Sequence, residues 1–152
     1  MIKKTVHACM RYIAFVLVFT MLLPVAADAA EPIQPRGSYY LDNYGAYVYL
    51  PGNGVVQVYF DVTGMDYMDE LGVLTIQIYE CATDSSYLDD WVWKKTFTHD
   101  STPGMLSYND DFHAGHVTYQ GTQGKYYKAY ICVWGGKDGD GDTRYFWTSA
   151  KH

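Results

Sequence analysis

Apolar and polar residues alternate with a period of two along most of the chain beyond residue 44, and no stretch holds a helical period for three turns. In Val55–Val62 the side chains of Val56, Val58, Phe60 and Val62 share one face, and Gln57 and Asp61 share the other. Leu74, Ile76 and Ile78 form the same kind of stripe in Val73–Glu80, as do Tyr127, Ala129, Ile131 and Val133 in Tyr126–Trp134. Successive side chains of a strand point to opposite faces, so each stripe marks the side that a core would cover. Seven strands follow from this pattern: Gly45–Leu50, Val55–Val62, Val73–Glu80, WVWKKTFTH over residues 91–99, His116–Gln120, Tyr126–Trp134 and Arg144–Thr148. Between the first two lies PGNG, Pro51–Gly54, whose Asn-Gly pair tolerates the positive φ angles of a tight hairpin. In the fourth strand Lys95 breaks the alternation between Trp93 and Phe97, which calls for a bulge or an edge position. The stretches TGMDYMDELG (63–72) and DSTPGMLSYNDDF (100–112) read as irregular connections.

The first 29 residues follow a different logic. Lys3, Lys4 and Arg11 precede a continuous apolar run from Tyr12 to Ala26, and Ala27-Asp28-Ala29 places small residues at both recognition positions of a signal peptidase. That order predicts a secretory signal peptide cleaved after Ala29. The run is short for a spanning helix, which needs about 20 residues. Residues 30–37 form a proline-containing lead-in, and residues 38–152 a single domain. Export would make the protein extracellular and free of the membrane after cleavage. The full chain carries a formal charge of −6, which becomes −8 once Lys3, Lys4, Arg11 and Asp28 are removed. Such a surface repels phosphate backbones and anionic lipid, so nucleic acid is not an expected partner.

Seven short strands separated by turn signals in about 120 residues predict an all-β fold, a two-sheet antiparallel sandwich. The sixth strand adds a resemblance. Gly124-x-x-Tyr127 leads into alternating small and branched residues, Tyr130-Ile131-Cys132 has the Tyr-x-Cys spacing, and Trp93 lies twelve residues after Cys81. These features resemble the F strand and core landmarks of immunoglobulin and fibronectin-type domains. The departure is Cys81, which ends the third strand instead of sitting in the second. Two segments, DVTGMDYMDELGVLTIQIYE (61–80) and KYYKAYICVWGGKDGDGDTRYFWTSAK (125–151), also resemble an uncharacterised family of small secreted proteins of Gram-positive bacteria. That resemblance implies a secreted single domain and no mechanism.

Two cysteines remain after cleavage, Cys81 and Cys132, and an oxidising compartment permits a disulfide. Both fall in the stripe opposite the apolar one. If the third and sixth strands pair antiparallel, the two sit roughly 10–20 Å apart, while a disulfide needs Cα atoms within about 7 Å. An intrachain bond and free or intermolecular thiols both stay open.

Asp138, Asp140 and Asp142 in GGKDGDGDTRYFW match the first three carboxylate positions of an EF-hand loop. The match ends at Thr143 and Ser149, where that loop needs glycine and glutamate. Two readings follow: a calcium site of another kind, or a solvated Gly/Asp hairpin turn whose aspartates bond to their own backbone. Asp110, Asp111, His113 and His116 have the residue types of a zinc site, but histidines three apart do not share one side of a strand. Hydrolase chemistry has little to build on. There is no Gly-x-Ser-x-Gly elbow, and Cys81 and Cys132 lie in strands, away from a helix N-terminus that would activate a thiolate. Paired carboxyls for glycosidase work would have to come from Glu70, Glu80 and the aspartates, in a domain too small for a deep cleft.

The aromatics carry the functional expectation. By alternation Tyr47, Tyr49 and Tyr59 point away from the core on one sheet, and Tyr79, Tyr130 and Trp134 on the other. Exposed flat rings with polar tips suit sugar rings or protein surfaces. The second group adjoins Trp91, Trp93 and the aspartate loop. The expected protein is therefore a secreted, non-catalytic binding module for extracellular glycan or a protein surface, with Tyr79, Tyr130, Trp134 and Trp91 at its site. Cross-strand aromatic pairing that stabilises the sheets, and a structural or self-associating role, are the alternatives.

Overall fold

Paired inward stripes can be buried only if the sheet that carries them curls or stacks, and here it curls. The computed structural model describes residues 37–152; the predicted leader and most of the lead-in lie outside the described residues. Gly37–His152 form one compact unit. It contains β1 (Leu41–Gly52), β2 (Val55–Cys81), a single 3₁₀ turn at Leu88–Asp90, β3 (Val92–Thr98), β4 (Leu106–Gln120), β5 (Tyr126–Lys137) and β6 (Asp140–Trp147). All strand pairings are antiparallel and belong to one sheet.

β2 is its spine. The first part of β2 pairs with β1 on one side and β4 on the other, and the last part pairs with β5 and β3. β6 extends the sheet beyond β5. The strand is 27 residues long and takes in two predicted strands and the connection between them. TGMDYMDELG is polar because its outward residues are wet, yet Met68, Glu70, Leu71 and Gly72 are paired in the ladder. Register shifts between Thr63 and Met68 and between Val73 and Thr75 bend the spine. Gly72 sits at the second bend with φ of 145°, and a Cβ there would meet the Met105 carbonyl oxygen at 2.3 Å.

The predicted stripes are buried. Val56, Val58, Phe60, Val62, Ile76, Ile78, Tyr127, Ala129, Ile131 and Val133 join Leu41, Val48, Met68, Leu71, Val73, Met105 and Val117 in one core. Leu74 is the exception: the bulge puts Val73 inside and leaves Leu74 half-buried. The all-β prediction holds, as a curled antiparallel sheet. β4 begins ten residues earlier than predicted, at Leu106. It pairs with β2 alone, so its polar residues face water and carry no alternation to read. β3 has both features that Lys95 required: it pairs only with β2, and its register slips opposite Ile78 and Tyr79.

Two hairpins use two-residue turns at which both residues have positive φ. Asn53 and Gly54 (54° and 75°) join β1 to β2, and Asp138 and Gly139 (55° and 81°) join β5 to β6. Those angles match the right-handed twist of the flanking strands. At the head of β5 the Tyr127 hydroxyl accepts the Thr122 N–H at 2.6 Å and donates to Glu80, closing the turn that follows β4.

Cys81 and Cys132 do not form a disulfide. Both thiols are free and buried. Cys81 stands opposite Tyr126 and Cys132 opposite Thr75, which at ~3.3 Å per residue separates them by roughly 20 Å.

Candidate aromatic binding face

The outward face of β3, the last part of β2, β5 and β6 is built in rungs. Trp93, Tyr79 and Lys128 form the first, and Thr96, Gln77, Tyr130 and Trp147 the second. Thr75, Cys132 and Tyr145 form the third, and Gly72, Trp134 and Thr143 the fourth. Residues two apart on each strand reach this face together, which is why Tyr79 and Tyr130 share it, each against Trp147.

Trp147 is the hub. Its ring centroid lies 5.0 Å from that of Tyr79 at 61° and 4.8 Å from that of Tyr130 at 36°. Tyr145 stacks on Tyr130 at 5.9 Å. The Lys128 ammonium sits 4.1 Å from the Trp91 centroid and 4.7 Å from that of Trp147, between two indole faces. Lys128 is only 9% exposed, and burial holds its pKa below the ordinary lysine value. The ring quadrupoles offset part of that desolvation. Tyr79 donates to Gln77 Oε1 at 2.9 Å, and the Trp93 indole N–H donates to Thr96 Oγ1 at 3.0 Å. These bonds fix the rings without occupying their outer surfaces. Trp93, Tyr145 and Trp147 remain 55%, 60% and 37% exposed.

Of the predicted ligand-facing residues, Tyr79 and Tyr130 are brought together, half-buried by their neighbours. Trp134 is displaced from Tyr130 by two rungs, roughly 13 Å along β5 at ~3.3 Å per residue, and from Tyr79 by three. Its indole lies against Gly136 and Gly141 of the hairpin and donates to Glu70 at 3.2 Å. Trp91 is corrected outright. It is buried, its N–H donates to the Ser85 carbonyl at 2.9 Å, and Lys128 covers its face, so no ligand reaches that ring directly. Trp147, Tyr145 and Lys128 were missed. The alternation of Arg144–Thr148 already put Tyr145 and Trp147 on one face; the missing step was the pairing of β6 with β5.

Cys132 and Cys81 share this outward face but are covered by it. Burial pushes the Cys132 thiol up, and the thiol donates to the Val133 carbonyl oxygen at 4.0 Å. A protonated, covered thiol is a poor nucleophile.

The aspartate loop does not converge on a metal. The Asp138 N–H donates to Asp69 at 2.7 Å, Asp140 accepts the Gly141 N–H at 2.8 Å, and Asp142 pairs with Arg144. The Asp140 and Asp142 carboxylates serve the turn and the adjacent strand, and Asp138 contributes its backbone N–H. His113 and His116 also separate: His113 bonds the Gly104 carbonyl at 2.9 Å, and His116 stacks on Tyr59 at 5.0 Å. Among the described residues no group of three or more His, Cys, Asp or Glu side chains is placed to hold a metal ion.

No protein-family model, curated protein or solved structure matches this chain.

Proposed function

We propose that the protein is a secreted, non-catalytic binding module whose ligand, an extracellular glycan or a protein surface, lies on the face around Trp147. One observation carries this reading: Trp93, Tyr145 and Trp147 stay exposed although the rings beside them are fixed by stacking and hydrogen bonds. Rings held in place lose little entropy on binding and present flat apolar area with polar tips. The face has no carboxylate pair and no accessible thiol, which supports binding in preference to hydrolysis. The leader motif at residues 1–29 supports export, and the sequence segments 61–80 and 125–151 support kinship with small secreted proteins of Gram-positive bacteria. A closer relation of the curled sheet to immunoglobulin and fibronectin-type sandwiches rests on Tyr127, whose hydroxyl bonds back to Thr122 as in a tyrosine corner. The continuous β2 spine is where this chain departs from them. Association through intermolecular disulfides has less support, because both thiols are covered.

Pull-down on insoluble polysaccharides and a glycan array, with Trp147→Ala and Tyr145→Ala beside the wild type, test the reading. Retention that falls at least about tenfold in both variants is expected. Unchanged retention in both, or a ligand lost only when Tyr47 is replaced, would remove this face from consideration.

A further inference from the structure

The other half of the sheet carries a separate constellation. On the outward face of β1, the first part of β2 and β4, one rung is Tyr47, Tyr59 and His116. Tyr47 and Tyr59 stack at 5.2 Å and 8°, and Tyr59 and His116 at 5.0 Å and 24°. Parallel rings in contact lie about 3.5–4 Å apart. A centroid separation of 5.2 Å therefore means an offset stack, in which part of each face stays open.

The neighbouring rung is Gly45, Asp61 and Ala114. Its two flanking residues have no side chain larger than methyl, so Asp61 stands alone in a gap beside the rings. A Cβ on Gly45 would lie 3.4 Å from Asp61 Oδ1, which places the carboxylate against the β1 backbone. Tyr47, Tyr59, Asp61, Ala114, Gly115 and His116 line the open depression that results. Asp61 is half-buried, and no hydrogen bond or ion pair joins its carboxylate to any described residue. The other half-covered acids have partners: Glu80 pairs with Lys94, Asp142 pairs with Arg144, and Asp110 accepts the Asp111 N–H at 3.0 Å.

We propose that this depression binds an organic ammonium group. The carboxylate supplies the opposite charge, and the exposed ring of Tyr47, backed by Tyr59, attracts a cation and accepts its carbon substituents. A hard inorganic cation fits poorly, since it requires about six oxygen ligands or more and Asp61 has only glycine and alanine beside it across the sheet. A neutral sugar would donate hydroxyls to the carboxylate but bring no opposite charge to it. The site lies on the first part of β2, away from the face around Trp147 that its last part helps to build, and stands whether or not that face binds a glycan.

The test is an amide chemical-shift titration of the purified protein with choline, with n-butylammonium, and with 3,3-dimethylbutan-1-ol, the neutral isostere of choline. At millimolar concentrations at least one of the two ammonium probes is expected to shift the amides of residues 45–47, 59–61 and 114–116 saturably, and the alcohol is not. The stronger of the two probes tells a quaternary from a primary amine. Asp61→Asn, which keeps the side-chain shape, is expected to weaken binding about tenfold or more. Ala114→Lys sets an internal ammonium opposite Asp61 and is expected to abolish it. Equal binding of choline and the alcohol, no saturable shift with either ammonium probe, or affinity unchanged in Asp61→Asn overturns the proposal.

Discussion

Tyr127 brings a hydroxyl into the core, and the consequences show up in pH. Burial first, and then its bond to Glu80, push the Tyr127 pKa up to about 12 from an ordinary 10.0. Above pH 10 the unfolded chain releases this proton while the folded chain keeps it. The folded state then binds more protons, so stability falls as pH rises from 10 towards 12. Below pH 10 the contribution is fully present. Tyr127→Phe removes the bonds to Glu80 and Thr122 and is expected to cost about 1–3 kcal/mol near neutral pH. Denaturant midpoints taken between pH 8 and 12 should converge for the two proteins as pH rises; parallel curves would count against the assignment. At the acid end, burial disfavours the Glu80 carboxylate, but the bonds from Tyr127, Lys94 and Thr122 outweigh it and hold its pKa below 4.5. That contribution is present above pH 4.5 and is lost as pH falls through the lower folded value. Lys128 runs the other way. Burial lowers its pKa, so its charge costs stability at neutral pH. Lys128→Met keeps the stem between Trp91 and Trp147 and removes the charge; it is expected to leave the melting midpoint unchanged or raise it, whereas Lys128→Ala lowers it by opening a gap between the indoles. A midpoint lowered equally by both would mean that the ammonium itself holds the rings.

The two hairpins allow a clean comparison of one glycine against another. Gly54 and Gly139 hold equivalent positions in turns of the same kind, with φ of 75° and 81°. A Cβ at Gly139 meets nothing within 4 Å, while at Gly54 it meets the Gly121 carbonyl oxygen at 2.7 Å. Gly139→Ala should therefore cost only the backbone term, about 1–2 kcal/mol. Gly54→Ala adds a clash with backbone that cannot swing aside, and is expected to cost clearly more in urea titration; equal costs would show that the β4–β5 connection yields. Asn53-Gly54 was readable from sequence, because local chemistry specifies the turn. The same holds for the stripes from Val56 to Val62 and from Tyr127 to Val133, where burial on one face imposes the period. The spine was not readable in that way. Residues 63–72 are paired, but their outward positions face water, and hydrogen bonding of the backbone leaves no mark on side-chain polarity. Nor was the start of β4, a polar strand with one partner. The candidate site divides along the same line: Tyr79 and Tyr130 follow from alternation within a strand, while Trp147 enters through the pairing of β6 with β5, a long-range fact. Trp91 looked exposed because Lys128, the residue that covers it, is a charged type that rarely lies in a covered position.

At the scale of the whole molecule the shared strand decides how the fold comes apart. All four tryptophans, Trp91, Trp93, Trp134 and Trp147, belong to the half built on β3, β5, β6 and the end of β2, whereas Tyr47, Tyr49 and Tyr59 clad the half built on β1, β4 and its beginning. The two regions look separable by their surfaces. Their interiors are not: Val56 and Val58 from one half and Ile76, Ile131 and Val133 from the other lie in one cluster, and Tyr44 of β1 packs on Phe146 of β6 at 5.3 Å. Releasing either half exposes the inner face of the other and frees part of a strand whose remainder is still paired. The stripes are then worth burying only together, and a single cooperative transition follows. Tryptophan fluorescence reports one half, and hydrogen exchange of the β1 and β4 amides reports the other. Their urea midpoints are expected to coincide. An earlier loss of protection in β1 and β4, with tryptophan emission still native, would show that the bends at Gly64 and Gly72 act as a boundary between independent units and that the core is not shared in energetic terms.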